Sequence, residues 1–189
     1  MLNAMSYIIP VLLGSAREGR VSDKAAAYMV SKLKERGAES SLIDPRDYMT
    51  GKSLELTSPK PWSDIMQSAD ALVIVSPEYN HGYPGELKEL IDSCKAEYVR
   101  KPVAICGASA GGLGGARVVE QLRQVMIELR MSPIREALYF SDHFNLWNED
   151  GSIKDPSYDT RVQPLLDELL WYTQALQEAR KNIAYPSKK

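Results

Sequence analysis

Short aliphatic runs alternate with longer amphipathic segments along this chain, and no other feature of the sequence limits its possible folds so sharply. A strand that is followed by a helix before the next strand cannot close a hairpin; it crosses over right-handed and lies parallel to its neighbour. Residues 7–13, 39–43, 71–75, 101–106 and 133–140 read as strands, and the unbroken aliphatic run 71–75 belongs at the centre of a parallel sheet. Helical spacing marks residues 21–36, a short helix over 62–68, then 85–98, 116–130 and 161–180. Residues 44–61 are polar and broken by Pro45, Gly51, Pro59 and Pro61, which predicts a long surface loop before the second helix. The pattern predicts an α/β fold: a doubly wound, five-stranded parallel sheet of order 2-1-3-4-5 with helices on both faces. Ligands of such sheets bind beyond the carboxyl ends of the strands, at the switch point between strands one and three.

Length and composition narrow the partners. A chain of 189 residues with 44% apolar content fits a single domain over 1–189. The formal charge of −2, from 23 basic and 25 acidic residues spread along the chain, offers no cationic footprint for nucleic acid. No apolar run approaches the roughly 20 residues of a membrane span, and the first residues lack a basic leader, so the expected place is the cytoplasm. Cys94 and Cys106 stand in neither a C-x-x-C pair nor a His-rich cluster; they read as small buried hydrophobes, with no metal site and no disulfide.

The three loops of most unusual composition follow strands one, three and four. Gly14-Ser15-Ala16-Arg17-Glu18-Gly19-Arg20-Val21-Ser22 leads into a helix whose first N–H groups lack intrahelical partners, which makes an anion site. Ser15 and Ser22 bring hydroxyls and Arg17 a charged fork; the plain alternative is that Ser22 only caps the helix and Arg17 is solvated. Ser76-Pro77-Glu78-Tyr79-Asn80-His81-Gly82-Tyr83-Pro84-Gly85 sets restricted prolines beside aromatic faces, a slot suited to a flat ring. Asn80 and nearby N–H groups could bond the pyrimidine edge of a flavin there. Gly107-Ala108-Ser109-Ala110-Gly111-Gly112-Leu113-Gly114-Gly115 has five glycines in nine residues, so its backbone packs against something flat or charged, or closely against its own strand and helix. Arg117, just beyond, binds a ligand or pairs with an acidic neighbour. The same stretch matches the G-x-S-x-G elbow of hydrolases, but the one histidine downstream, His143, adjoins Asp142 and leaves little room for a separate acid.

In this order the three loops resemble the NADPH-dependent FMN reductase family, the flavodoxin-like quinone, chromate and azo-dye reductases, over nearly the whole chain. The likeness rests on Gly14-Ser15-Ala16-Arg17, on Pro77-Glu78-Tyr79-Asn80 followed by Pro84-Gly85 and Leu87-Lys88, and on Ser109 with Gly111, Gly112, Gly114, Gly115 and Arg117. The resemblance implies that Ser15, Arg17 and Ser22 hold the FMN phosphate, that Pro77, Glu78, Tyr79 and Asn80 line the ring, and that Ser109, Gly111 and Gly112 close its other edge. His81, Tyr83 and Arg117 would face the substrate, with Phe144 and Trp147 shaping the acceptor pocket. His81 and the pair Glu89-Leu90 depart from the family's usual residues. NADPH or NADH would give hydride to flavin N5, and a quinone, flavin, azo dye or metal oxyanion would then take it at the same place, with no catalytic side chain required. The family also implies a homodimer or homotetramer, with helix 85–98 as the contact. An FMN-binding electron carrier or sensor is the competing reading, and the near balance of charge argues against it.

Overall fold

The computed structural model describes residues 6–49 and 60–185, so residues 50–59 of the expected long loop and both chain ends lie outside the described residues. Five strands form one all-parallel sheet of order β2-β1-β3-β4-β5, as the alternation predicts. They are β1 (Val11–Leu13), β2 (Leu42–Ile43), β3 (Leu72–Pro77), β4 (Pro102–Ala108) and β5 (Ser132–Phe140). The helices are α1 (Ser22–Glu35), α2 (Lys60–Ser68), α3 (Gly85–Asp92), α4 (Ala116–Glu128) and α5 (Ser157–Asn182).

Strand side chains alternate between two apolar layers. Val11, Leu13, Val73, Val75, Ala104 and Cys106 meet Met29 and Leu33 of α1 and Val162, Leu166 and Leu169 of α5. Leu12, Leu72, Ile74, Val103 and Ile105 point the other way, onto Trp62 of α2, Leu87 and Ile91 of α3, and Val118 and Leu122 of α4. Two buried faces are what a doubly wound sheet requires.

Several boundaries differ from the sequence reading, each for a local reason. The first two strands are shorter than 7–13 and 39–43, because Pro10 has no N–H to give; pairing outside β1 and β2 survives as an Ile8–Glu39 bridge and a bond from Ile9 N–H to Glu39 C=O (2.9 Å). The single helix expected over 85–98 is two pieces. Ser93 Oγ donates to Leu90 C=O (2.6 Å), Lys95 leaves the helical region at φ −139°, and Ala96–Tyr98 forms a separate 3₁₀ turn. α5 begins four residues early, where Asp155 accepts from Ser157 N–H (2.9 Å), and continues through Pro164. Opposite Ala104 the register of β5 slips between Pro133 and Ala137, and Glu168 of α5 accepts the N–H groups of Arg135 (3.3 Å) and Glu136 (2.7 Å). No helix among the described residues is long and apolar enough to cross a membrane.

Candidate functional site

At the carboxyl ends of β1 and β3 the backbones nearly touch. A Cβ on Gly14 would lie 2.7 Å from Ser76 Cα, and Gly14 N–H donates to Val75 C=O (2.8 Å). The loops splay outward from this contact and enclose a cavity of about 200 Å³. Arg17, Ser22, Pro77, Glu78, Tyr79 and Ser109, all singled out in the sequence, line it. So do residues the sequence did not single out for a ligand: Val21, Ala110 and His143.

The α1 end of the cavity combines unpartnered donors with one carboxylate, that of Asp23 in the first turn, which accepts the Lys24 N–H at 2.9 Å. No side chain caps this helix, so the capping role weighed for Ser22 is not the one it plays. Ser22 is 2% exposed and its Oγ has no hydrogen-bond partner. A buried hydroxyl without a partner is costly, and a ligand acceptor would relieve it. Arg17 is exposed and its guanidinium has no ion pair or hydrogen bond among the described residues. Arg20 is different: it donates to Ser15 C=O (2.7 Å) and is clasped by Asp44. Burial would raise the Asp44 carboxyl, but Arg46 and Arg20 outweigh it and hold it well below the usual range.

Ser15 lies under the cavity instead of lining it. It is fully buried, its Oγ is 3.0 Å from Tyr79 Oη, and it accepts the Arg17 N–H at 3.1 Å. Glu86, in the first turn of α3, accepts the Ala16 N–H at 3.1 Å and the Ser15 hydroxyl at 3.4 Å. These bonds lock the first loop to the second. Glu86 carried no sequence signal beyond its helix position.

In the second loop Tyr79 and Gly82 exchange both backbone hydrogen bonds at 2.9 Å, around Asn80 at φ 50° and His81 at φ 69°. The turn sets both residues outside the cavity lining, and Gln121 donates to His81 C=O (2.8 Å). Tyr83 packs partly buried against the layer of α3 and α4. Glu78 has its carboxylate on the amino end of α4, accepting from Arg117 N–H (3.1 Å) and Arg117 Nη1 (2.8 Å). Of the two roles weighed for Arg117, the structure shows the acidic pairing.

The glycines of the third loop divide into two sets. A Cβ on Gly107 would sit 2.6 Å from the carbonyl oxygens of Gly114 and Gly115, and one on Gly114 2.7 Å from Tyr139 Cβ. Those positions are glycine for internal packing. Gly111 and Gly112 would meet nothing within 4 Å and lie outside the left-handed region, so nothing in the chain itself requires glycine there. Ser109 Oγ donates to Gly111 C=O (3.0 Å), its φ is not positive, and His143 Nδ1 has no partner. The paired nucleophile and strained turn of a hydrolase elbow are absent here. Trp147, read as a pocket aromatic, is 5% exposed and packs on Phe140, whereas Phe144 lines the cavity.

Residues 8–145 match the family model described as NADPH-dependent FMN reductase. The NAD(P)H-dependent FMN reductase LOT6 of Saccharomyces cerevisiae is 28% identical over 148 residues, 67% of this chain and 76% of the yeast protein. A quinone reductase of Pseudomonas putida is 27% identical over 160 residues, 79% of this chain and 86% of its own. Among solved structures, the flavoenzyme NAD(P)H:(acceptor) oxidoreductase FerB from Paracoccus denitrificans superposes with a TM-score of 0.72 at 23% identity, covering 91% of this chain and 98% of its own.

Proposed function

The chain belongs to the NADPH-dependent FMN reductase family, and from that membership we propose that it oxidises NAD(P)H through an FMN held at the β1/β3 switch point and delivers the electrons to small acceptors. Quinones, free flavins, azo dyes and metal oxyanions are the acceptor classes of this reading. One observation carries it: a cavity where three loops converge, with an uncapped helix terminus and, among the described residues, an unpaired guanidinium and a partnerless buried hydroxyl at one end. Arg17, Ser22 and the first N–H groups of α1 would hold the phosphate, and Ser15 would hold that loop in place by its bonds beneath. Pro77, Glu78 and Tyr79 would offer backbone edges to the ring, with Asn80 at its rim, and Ser109, Gly111 and Gly112 would let the opposite wall approach closely.

FMN, when bound, would supply a two-electron carrier able to take hydride from a nicotinamide and to pass it to a small acceptor. The chain's part is orientation and exclusion. Glu86 and Tyr79 fix the first loop, Glu78 is tied to α4, and neither wall need reorganise while hydride passes. His81 and Tyr83 would bound the outer approach, and Arg117, paired with Glu78, would act through that wall. Assembly as a homodimer or homotetramer through α3 belongs to the same reading; Glu89 on that helix has a buried carboxylate oxygen without a hydrogen-bond partner.

The test is the visible spectrum after FMN is added and the excess removed, recorded before and after anaerobic NADPH. A retained two-banded spectrum that bleaches is the expected result. Retained flavin that neither NADPH nor NADH bleaches would favour an electron carrier, and no retained flavin would overturn the reading.

A further inference from the structure

His143 has no part in the chemistry above, yet it is placed as a ligand residue would be. It is 9% exposed, it lines the same cavity as Ser22 and Arg17, and its Nδ1 has no hydrogen-bond partner. Few buried ring nitrogens go unpaired in proteins, and two partnerless polar atoms in one small cavity point to one missing acceptor. The loop that carries the imidazole is pinned to the cavity wall. His143 N–H donates to Ser109 C=O (3.1 Å), Asp142 N–H to Gly111 C=O (3.3 Å) and Ser141 Oγ to Gly112 C=O (3.0 Å). The Phe144 ring, 63% exposed, meets the imidazole edge-on with centroids 4.4 Å apart. The ring is held on the cavity wall whether or not anything binds.

We propose that His143 binds the phosphomonoester of the flavin nucleotide through Nδ1 and takes up one proton as it does so. The inference rests on the flavin reading above. The charged and titratable groups that line the cavity with this ring are Arg17 and Arg20 from the loop before α1 and Glu78 and Tyr79 from the loop after β3, and Asp142 acts on it from the adjoining position; the wall after β4 contributes Ser109 and Ala110, neither charged. Arg20 is neutralised by Asp44 and Glu78 by Arg117, while Asp142 is engaged by Asn145 (3.0 Å). Arg17 alone does not balance a dianion, and an imidazolium completes the balance. Burial lowers the His143 pKa, against the opposing pull of Asp142, so the ring is neutral near pH 7 until an anion arrives. The neutral ring takes one proton from solvent on its bare nitrogen, and as an imidazolium its Nδ1–H donates a charge-assisted hydrogen bond to the dianion.

Two measurements test this on the whole chain. Titration calorimetry of FMN binding at pH 7.5 in buffers of different ionisation enthalpy should show net proton uptake, and riboflavin, which lacks the phosphate, should show none. FMN affinity should fall about tenfold between pH 6.5 and 8.5, a linkage of at most tenfold per pH unit for one proton. In His143→Asn the affinity at pH 6.5 should drop by about tenfold or more, and the uptake and the pH dependence should both vanish. Ser22→Ala, which removes the other partnerless atom, should weaken FMN while retaining proton uptake. Absence of proton uptake in the unaltered chain, or the same pH dependence in His143→Asn, overturns the assignment of His143 while leaving the flavin reading intact. Failure of the unaltered chain to bind FMN at any pH overturns both.

Discussion

His81 holds a backbone conformation at φ 69° that costs an L-residue about 1–2 kcal/mol, in a two-residue turn for which Asn-Gly is the favoured pair. His81→Gly should therefore raise stability by about 1 kcal/mol, after the greater chain entropy of glycine is set against the relieved strain; a rise in the denaturation midpoint measures it. The third loop offers a sharper contrast. Gly107→Ala pushes a methyl within 2.6 Å of two carbonyl oxygens and should cost about 1–3 kcal/mol. Gly111→Ala meets nothing in the chain, so its melting temperature should stay unchanged while its FMN dissociation constant rises severalfold. From composition alone the five glycines were indistinguishable, since packing and ligand approach call for the same residue type. Ser22 illustrates the converse: residue type and position placed it in the anion loop, but only coordinates separate a capping hydroxyl from one without a partner.

At the scale of elements, Glu78 joins the loop after β3 to α4. Burial would raise its carboxyl, yet the Arg117 guanidinium and the N–H groups of Val118 and Arg117 outweigh this and keep it below the usual glutamate range. A group with a lowered folded pKa stabilises fully above its unfolded value, about 4.3 for glutamate, and loses that contribution as pH falls through the folded value. Glu78→Gln should thus cost about 1–2 kcal/mol at pH 7, and the gap from the unaltered chain should close as pH drops below about 4. Chemical denaturation at a series of pH values checks both points. The helices and strands themselves were largely legible, because periodicity of two and of 3.6 differ plainly. The break after α3 was not, since it depends on Ser93 and Glu97 binding nearby backbone groups, as Ser93 does at Leu90 and Glu97 at Lys95 N–H (3.1 Å). Likewise Glu78 finds Arg117, and Glu86 finds Ser15 and Ala16, across loops far apart in sequence, and spacing rules do not reach that far.

Across the whole molecule the strand order followed from counting βα units, and the cavity lies at the switch point that this order specifies. Both cysteines fall in the apolar layers, one on each face, as their sequence context suggested; Cys94 is 2% exposed and Cys106 0%. Burial pushes the Cys106 thiol up to about 12, so neither reactivity nor access favours modification of the native fold. An aromatic disulfide reagent at pH 8 should label neither thiol in the native protein and both once it unfolds, and the labelling rate should track the unfolding rate. The Glu78 carboxylate at the head of α4 has one more effect. At the amino end of α4 the Glu78 carboxylate accepts the N–H groups of Arg117 and Val118, whereas at that of α1 Asp23 accepts the Lys24 N–H and no side chain caps the helix. A long ligand with all its charge in a tail is favoured to enter tail toward α1. Its uncharged head is then left at the far end of the cavity, among the loops after β3 and β4, where a reactant arriving from solvent meets it.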